Sequence, residues 1–439
     1  MARRSIFTLL LIAAWAVAQP RTVTITVLAT TDLHGQILPL DYATNRPAPR
    51  GLAAIATLVR RVRAENPNTV LIDCGDTIQG SPLETVYQAG PRTLGDPMMR
   101  AMNLLGYAAM TVGNHEYTVG TSAMEQARRD ARFPWLAANT SGFDASVLKT
   151  VAGLRVAIIG VTTPMVPVFE PPGHLGTHRF SDPFDAVRRA VAGLHADLVV
   201  VAAHSGLGSD GEDPAEHVVS ALAEQVPGID AIVFGHSHKE LAAESIGKVL
   251  VIQPKNGGAS LARLDFTFED KKLRTKKGTL IRVTAATPAA PDVVQLARPY
   301  EEAAQRYLDT PVATADRDLA GDAITDLINR VQLQASKVDV SLATLFDPDA
   351  RIAKGPVTLR QITAIYPYEN DLVVVEGTAA MLKGLPDRIA GIQPKSPDQP
   401  LRIALNSYRA TQAPFKNARI IWKSKESIRD MLAATKRLD

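Results

Sequence analysis

Short apolar runs alternate with amphipathic stretches along more than half of the chain. Residues 23–30 alternate as a β-strand does, and residues 70–73 form an apolar run typical of a buried strand. Between them, apolar residues recur at helical spacing over residues 52–62, and Asp213 followed by Pro214 predicts a later helix start. Further strands are predicted at residues 110–113, 156–160, 198–203, 232–234 and, as an edge hairpin, around 264–268. This alternation predicts an α/β fold.

A second, smaller unit is expected after a change in composition. We assign residues 19–284 to the first unit and residues 285–309 to a linker that contains a helix, which we expect Pro299 to interrupt. Residues 310–439 then form an α+β unit. Its predicted elements are a helix over residues 323–334, strands around 339–342 and 372–376, and a helix from Thr378.

The first residues have the pattern of an export signal. Two arginines precede an apolar stretch over residues 6–18 that is too short to span a bilayer and ends in Ala-Val-Ala. We interpret residues 1–18 as a signal peptide cleaved before Gln19; the alternative is a buried N-terminal helix. The sequence therefore predicts an exported protein, periplasmic or extracellular, with no stable membrane anchor after cleavage.

Composition and charge exclude a collagen-like protein, a low-complexity protein and a chain with an acidic tail. The chain has 439 residues, of which 46% are hydrophobic and 21% charged, and its net charge is +3. These values are ordinary for globular proteins. The one dense basic run, residues 271–277, is most simply a solvated hairpin face. We therefore expect no nucleic-acid polymer as partner, and no protein partner is evident. The expected partner is a small-molecule substrate.

Polar residues with metal-binding side chains follow five of the predicted strands. Cys74 is the single cysteine, so any metal must be held by histidine, carboxylate or amide groups. In open α/β sheets, ligand-binding loops lie at the carboxyl ends of strands. One such group alone is more often a turn or a structural histidine, but five in succession predict a site. The potential donors are Asp32, His34, Asp76, Asn114, His204, His236 and His238.

These seven donors are too many for one tetrahedral ion. In the Asp-x-His and His-x-His pairs, alternate side chains of an extended segment point to one side and can bind the same metal. Two divalent ions that share Asp76 account for all seven donors, and nitrogen and oxygen ligands suit Zn, Mn, Fe or Mg. Two ions about 3.5 to 4 Å apart support in-line displacement at phosphorus. His115, beside a donor but not needed as one, is placed to protonate a leaving alkoxide.

The motifs resemble those of a known family. Asp32-x-His34, Gly75-Asp76, Gly113-Asn114-His115-Glu116, His204 and Gly235-His236-x-His238 are similar to the signature motifs of the calcineurin-like metallophosphoesterases, in the spacing of their 5′-nucleotidase family. The resemblance implies a four-layer αββα sandwich and two divalent metal ions. It implies that one ion is held by Asp32, His34, Asp76 and His238, and the other by Asp76, Asn114, His204 and His236.

Residues 310–439 resemble the family's substrate-binding domain in abbreviated form. Tyr368, in the segment Ile-Tyr-Pro-Tyr-Glu-Asn, and Tyr408, after Asn406-Ser407, correspond to aromatic residues that clamp a nucleobase. The alternative is that both tyrosines are core residues. Arg351 and Asn406 are further candidate substrate contacts. The segment around residues 385–401 is shorter than in typical relatives, and the glycines expected before Arg351 are missing.

One departure concerns the proposed acid. In the family's 5′-nucleotidases an aspartate three residues after the catalytic histidine orients it, whereas this chain has Thr118. The resemblance implies a phosphoesterase acting on nucleotides, as a 5′-nucleotidase, as a 2′,3′-cyclic-nucleotide phosphodiesterase/3′-nucleotidase, or as both. The alternatives are a related hydrolase of nucleotide-sugars or sulfur esters, and a metal- or nucleotide-binding protein with little turnover.

Overall fold

Two mixed six-stranded sheets form the N-terminal unit. The computed structural model describes residues 21–208, 212–368 and 370–439, so the predicted signal peptide lies outside the described residues. In spatial order, the first sheet consists of Lys272–Arg282, Ser260–Glu269, Thr22–Thr30, Thr69–Asp73, Ala109–Thr111 and Trp135–Leu136. The second consists of Leu241–Ile246, Val249–Gln253, Ala231–Phe234, Leu198–His204, Leu154–Thr162 and Ser146–Val151. Each has four parallel strands, with antiparallel strands completing the sheet.

Alternating side chains place these sheets in the middle of a four-layer sandwich. Val27 and Val200 pack in one cluster between the two sheets, whereas Leu28 faces the helices outside the first sheet. Val201 faces the helices outside the second sheet. The helices outside each sheet confirm the predicted αββα arrangement. They are needed because a strand buried on both faces requires a helical layer outside it.

The helices of this unit pack on the two outer faces or lie in loops. In chain order they are Leu52–Glu65, Pro82–Ala89, Pro97–Leu105, His115–Thr118, Thr121–Asp130, Val166–Phe169, Pro172–Leu175, Pro183–Ala192 and Val219–Gln225. A two-stranded pair, Leu40–Asp41 with Arg46–Pro47, is also present. The helix predicted from Asp213 and Pro214 begins later, at Val219. Asp213 instead accepts a hydrogen bond from the Ala215 N–H at 3.0 Å, which closes a local turn.

The C-terminal unit is built on a five-stranded sheet. Its strands, in spatial order, are Arg388–Gly391, Val340–Ala343, Pro400–Asn406, Asp371–Thr378 and Ile420–Ser427. Smaller sheets are formed by Gly355–Thr358, Pro311–Ala315 and Arg437–Leu438, and by Leu319–Ala320 with Arg351–Ile352. The helices are Asp322–Ser336, Leu359–Ile365, Ser407–Ala410 and Ile428–Ala434. The helix predicted from Thr378 is only a four-residue 3₁₀ turn, Ala379–Leu382.

A long helix, Pro291–Leu308, connects the two units. The predicted interruption at Pro299 is wrong, because the helix is continuous through this residue. Ala297 and Tyr300 on either side of the proline are buried in the outer cluster of the N-terminal unit. This packing outweighs the hydrogen bond that proline cannot donate. Within residues 21–208, 212–368 and 370–439, the helices all fall short of the length and apolar character that crossing a membrane requires.

Candidate metal centre

The polar strand ends of both sheets meet at one edge of the sandwich. Asp32 and Asp76 follow adjacent parallel strands of the first sheet, while His204 ends a strand of the second sheet and His236 follows its neighbour. The structure brings six of the seven predicted donors into two groups of three, and within each group the potential ligand atoms lie within 4.8 Å of one another. The groups are Asp32, His34 and His238, and Asp76, His204 and His236.

In the first group, basic nitrogens converge on a carboxylate. The Nε2 atoms of His34 and His238 are 2.9 Å apart, and His238 Nε2 is 3.5 Å from Asp32 Oδ1. Burial lowers the pKa of His34 to about 4, so its ring is neutral at physiological pH. A neutral imidazole facing a second imidazole and an anionic carboxylate is a suitable set of ligands for a divalent cation.

In the second group, His204 lies between two oxygen donors. Its Nε2 is 3.1 Å from Asp76 Oδ2 and 3.1 Å from Asn114 Oδ1, which places the seventh predicted donor beside this group. Burial alone would lower the pKa of His204, but the adjacent Asp76 outweighs burial and raises that pKa to about 10. A positive charge is therefore favoured at this point of the site, and a bound cation fits the same charges.

The second ring nitrogens of three histidines are held by acceptors. His34 Nδ1 lies 3.0 Å from the Gln79 carbonyl and His204 Nδ1 lies 2.8 Å from the Cys74 carbonyl. Because a carbonyl only accepts, both Nδ1 atoms carry the proton and both Nε2 atoms face the site. In His236 it is Nε2 that is bonded to an acceptor, Glu216 Oε1 at 2.7 Å, rather than Nδ1. Such outer partners fix the tautomer of metal-binding histidines.

The backbone at the donors is strained. Non-glycine residues seldom adopt positive φ, and the cost is about 1 kcal/mol or more for each. Five of the seven predicted donors nevertheless have φ between 48° and 72°. They are Asp32, His34, Asp76, His236 and His238. Strain concentrated at one set of residues is typical of a functional site.

Glu116 holds two of the donor loops together. Its buried carboxylate accepts hydrogen bonds from the N–H groups of Asp76 at 2.9 Å, Thr77 at 2.6 Å and Gly113 at 2.6 Å. A Cβ on Gly113 would lie 2.2 Å from Asp76 Oδ1, so glycine is required for this close approach. The sequence motif contains Glu116, but its clamping role follows only from the structure.

His115 lies beside the donors without joining either group. Its ring centroid is 5.3 Å from that of His34, and its backbone N–H donates to Asp76 Oδ1 at 2.8 Å. Among the described residues, the metal-compatible groups also include Glu216 with His217 and His236. Sequence reasoning missed Glu216, because it lies in the segment for which a helix was predicted.

The four candidates in the C-terminal unit have different surroundings. Tyr368 and Tyr408 are 53% and 64% exposed, which excludes the alternative that they are core residues. Leu372 pairs with Asn406, so both tyrosines lie near the same end of the sheet. Asn406 Oδ1 caps the helix Ser407–Ala410 by accepting from the Arg409 N–H at 2.7 Å.

Arg351 and Tyr368 have partners within their own unit. The Arg351 guanidinium donates to the carbonyls of Pro348 and Ala350 at 2.8 and 2.7 Å. Phe346 packs edge-to-face against Tyr368, with ring centroids 5.0 Å apart. Both tyrosines nevertheless remain largely exposed, whereas the Arg351 guanidinium is bonded to backbone carbonyls of its own unit.

Comparisons with known proteins agree with this architecture. Residues 25–240 match the calcineurin-like phosphoesterase family, and residues 303–413 match the 5′-nucleotidase C-terminal domain. The 2′,3′-cyclic-nucleotide 2′-phosphodiesterase/3′-nucleotidase of Yersinia enterocolitica is 27% identical over 83% of this chain and 67% of its own length. Protein UshA of Escherichia coli is 26% identical over 89% of this chain and 80% of its own. The chain thus spans about two thirds of the first relative.

A solved structure shows the same fold. The 5′-nucleotidase precursor of Thermus thermophilus superimposes with a TM-score of 0.68 at 22% identity, over 95% of this chain and 100% of that one. Together with the two family matches, this fold defines a metallophosphoesterase. More closely, the chain belongs to the calcineurin-like phosphoesterases that carry a 5′-nucleotidase C-terminal domain, and its homologues include nucleotidases and cyclic-nucleotide phosphodiesterases.

Proposed function

We propose that this protein hydrolyses phosphate esters of nucleotides with two divalent metal ions, as a 5′-nucleotidase, a 2′,3′-cyclic-nucleotide phosphodiesterase/3′-nucleotidase, or both. The observation that carries the proposal is the convergence of two donor groups beside His115. One ion would be held by Asp32, His34, Asp76 and His238, and the other by Asp76, Asn114, His204 and His236. Bound divalent ions supply Lewis-acid stabilisation of phosphoryl charge and lower the pKa of water.

Other residues of the site would have separate roles in the reaction. His115 holds a proton for the departing alkoxide, and Glu116 keeps the Asp76 and Asn114 loops in register. Glu216 orients His236, so that Nδ1 of that ring is the nitrogen available to a metal. Nitrogen and oxygen donors without thiolate suit Zn, Mn, Fe or Mg in this site.

A substrate panel tests the proposed activity. Purified protein with added Mn or Zn is assayed on 5′-AMP, 3′-AMP, 2′,3′-cyclic AMP and a bis-aryl phosphodiester, each with and without EDTA. We expect turnover of at least one nucleotide that EDTA abolishes and added metal restores. Absence of EDTA-sensitive turnover on every substrate would falsify the enzyme assignment. Turnover of the aryl ester alone would favour a different substrate class, such as nucleotide-sugars or sulfur esters.

We further propose that Tyr368 and Tyr408 stack on the nucleobase. Stacking on an aromatic ring contributes on the order of 1–3 kcal/mol, so Tyr408→Ala should raise KM for 5′-AMP about tenfold with little change in kcat. Ribose 5-phosphate, which has no base, should show no such change. Tyr307→Ala, which removes an exposed tyrosine from the helix Pro291–Leu308, serves as the matched control. Equal losses with both substrates would argue against a base clamp.

Export is proposed from residues 1–18 alone, which lie outside the described residues. The expected mature protein begins at Gln19. The mass of the N-terminal peptide, measured on protein recovered from the cell envelope or medium of the expressing bacterium, checks this proposal. An uncleaved N-terminus would contradict it.

A further inference from the structure

A chain of hydrogen bonds connects His115 to residues outside the donor groups. His115 Nδ1 lies 3.1 Å from Thr118 Oγ1. The Thr118 hydroxyl donates to Glu170 Oε1 at 2.5 Å, and the other carboxylate oxygen of Glu170 lies 3.1 Å from His174 Nδ1. Glu170 is 52 residues away from Thr118 in sequence, and no motif connects them.

The direction of these bonds follows from the supply of protons. A threonine hydroxyl has one proton, and Thr118 gives it to the carboxylate of Glu170. The Thr118 oxygen can therefore only accept from His115, which fixes the proton of that ring on Nδ1. His115 Nε2 is then the nitrogen at which a further proton can be held and transferred.

Burial makes the Glu170 carboxylate suitable for this role. Glu170 is only 9% exposed, and its backbone N–H is bonded to the Val166 carbonyl at 3.0 Å at the end of the helix Val166–Phe169. The carboxylate is thus held in place by its own loop and shielded from water. A shielded, hydrogen-bonded carboxylate orients a neighbouring group more strongly than an exposed one.

We propose that Glu170 is a positioning residue for His115, acting through the hydroxyl of Thr118. Thr118 has a hydroxyl and no carboxylate, and Glu170 supplies the carboxylate from another loop. Glu170 thereby fixes the tautomer and orientation of the imidazole. The effect on turnover rests on the proposed function, whereas the effect on the His115 tautomer does not.

A merely structural role for Glu170 makes different predictions. It would pin the loop that contains the helices Val166–Phe169 and Pro172–Leu175, and its loss would lower stability and turnover of all substrates alike. A positioning role instead affects the step in which a poor leaving group needs a proton. The effect should then fall on kcat for nucleotides and spare esters whose leaving group departs unprotonated.

The kinetic test uses Glu170→Gln, Thr118→Asp and the double variant. Glu170→Gln should lower kcat for a nucleotide at least about tenfold, with KM unchanged and a smaller loss on a p-nitrophenyl ester. Thr118→Asp alone places two carboxylates against each other and should not improve turnover. The double variant brings the carboxylate next to His115 directly and should recover kcat to within about threefold of the parent protein.

Glu125→Gln is the matched control for the substitution. Glu125 lies on the nearby helix Thr121–Asp130 and pairs with Arg128 at 3.5 Å, outside the chain of bonds that leads to His115. It should leave kcat and KM unchanged. Thermal unfolding of every variant separates loss of folded protein from loss of turnover.

A second readout does not need activity or metal. In metal-free protein with ¹⁵N-labelled histidine, the ring signals of His115, assigned by their loss in His115→Asn, should report the Nδ1–H tautomer. In Glu170→Gln the amide can donate to Thr118, which frees the hydroxyl to donate to His115, so the signals should shift towards the Nε2–H tautomer.

The outcomes separate this inference from the proposed function. An unchanged tautomer, together with kcat of Glu170→Gln within about twofold of the parent, overturns the positioning role even if the parent enzyme is active. Equal losses on both ester classes without recovery in the double variant overturn it in favour of a structural role. If the parent has no metal-dependent turnover, the proposed function fails, and the tautomer measurement alone still decides the inference.

Discussion

Asp76→Asn is expected to release metal and to lower nucleotide turnover on the order of 10³-fold or more. Asp76 is buried beside His204 and is the one donor that our assignment shares between both ions. Asparagine keeps an oxygen that can accept the His115 N–H, bonded to Asp76 Oδ1 at 2.8 Å, so the loop should retain its shape. What it removes is a negative charge that divalent ions need in a buried site.

The measurement is metal content per chain by elemental analysis, alongside the rate. Asp32→Asn is the matched comparison, since Asp32 is proposed to bind one ion only. If Asp76 is shared, Asp76→Asn should reduce the content of both ions, whereas Asp32→Asn should reduce the content of one ion. Equal losses in the two variants would show that Asp76 does not bridge. Full metal content with normal turnover in Asp76→Asn would contradict its role as a ligand.

The layers of the fold and the donor set could be predicted because both depend on short-range patterns. The alternation over residues 23–30 predicts a strand, and the apolar run over residues 70–73 predicts one that is buried on both faces. A donor directly after a strand lies at the sheet edge whatever the rest of the chain does. Pro299 and Asp213 misled prediction because tertiary contacts override local preference. At Pro299 a buried helix face compensates for one missing hydrogen bond, and at Asp213 a turn replaces a helix start.

The outer residues of the site were beyond sequence reasoning. Glu170 and Glu216 meet Thr118 and His236 across 52 and 20 residues of chain, and a glutamate in a loop has no periodicity that would mark it. Their signal is geometric: each carboxylate is bonded to a side chain that a motif had already identified. The motif residues therefore describe the proposed ligands, while glutamates from other loops set how the side chains of this edge are oriented.

The strained donor loops need hydrogen bonds from other parts of the chain. Positive φ at five donors costs several kcal/mol in sum, at about 1 kcal/mol or more for each. Buried carboxylates compensate by accepting backbone N–H groups: Glu116 does so for the Asp76 loop, and Asp32 accepts the His236 N–H at 3.0 Å. Rigid loops of this kind hold side chains in place before substrate arrives.

His115→Asn should lower nucleotide turnover about 10²- to 10⁴-fold while leaving metal content nearly unchanged. The side chain belongs to neither donor group, so its removal should not release an ion. Its backbone N–H, which bonds Asp76, is retained by asparagine. The loss should be smaller on p-nitrophenyl esters, whose leaving group needs no proton, and this difference distinguishes a proton donor from a residue that only shapes the cleft.

Elemental analysis and parallel rates on the two ester classes check this expectation. Loss of metal in His115→Asn would mean that the imidazole is itself a ligand, and the division between acid and metal donors would have to be redrawn. An equal loss on both esters with metal retained would assign His115 to phosphate binding instead. His115 Nδ1 is bonded to Thr118, and within the described part of the chain Nε2 has no hydrogen-bond partner. The hydrogen bonds of His115 therefore favour the role of a proton donor.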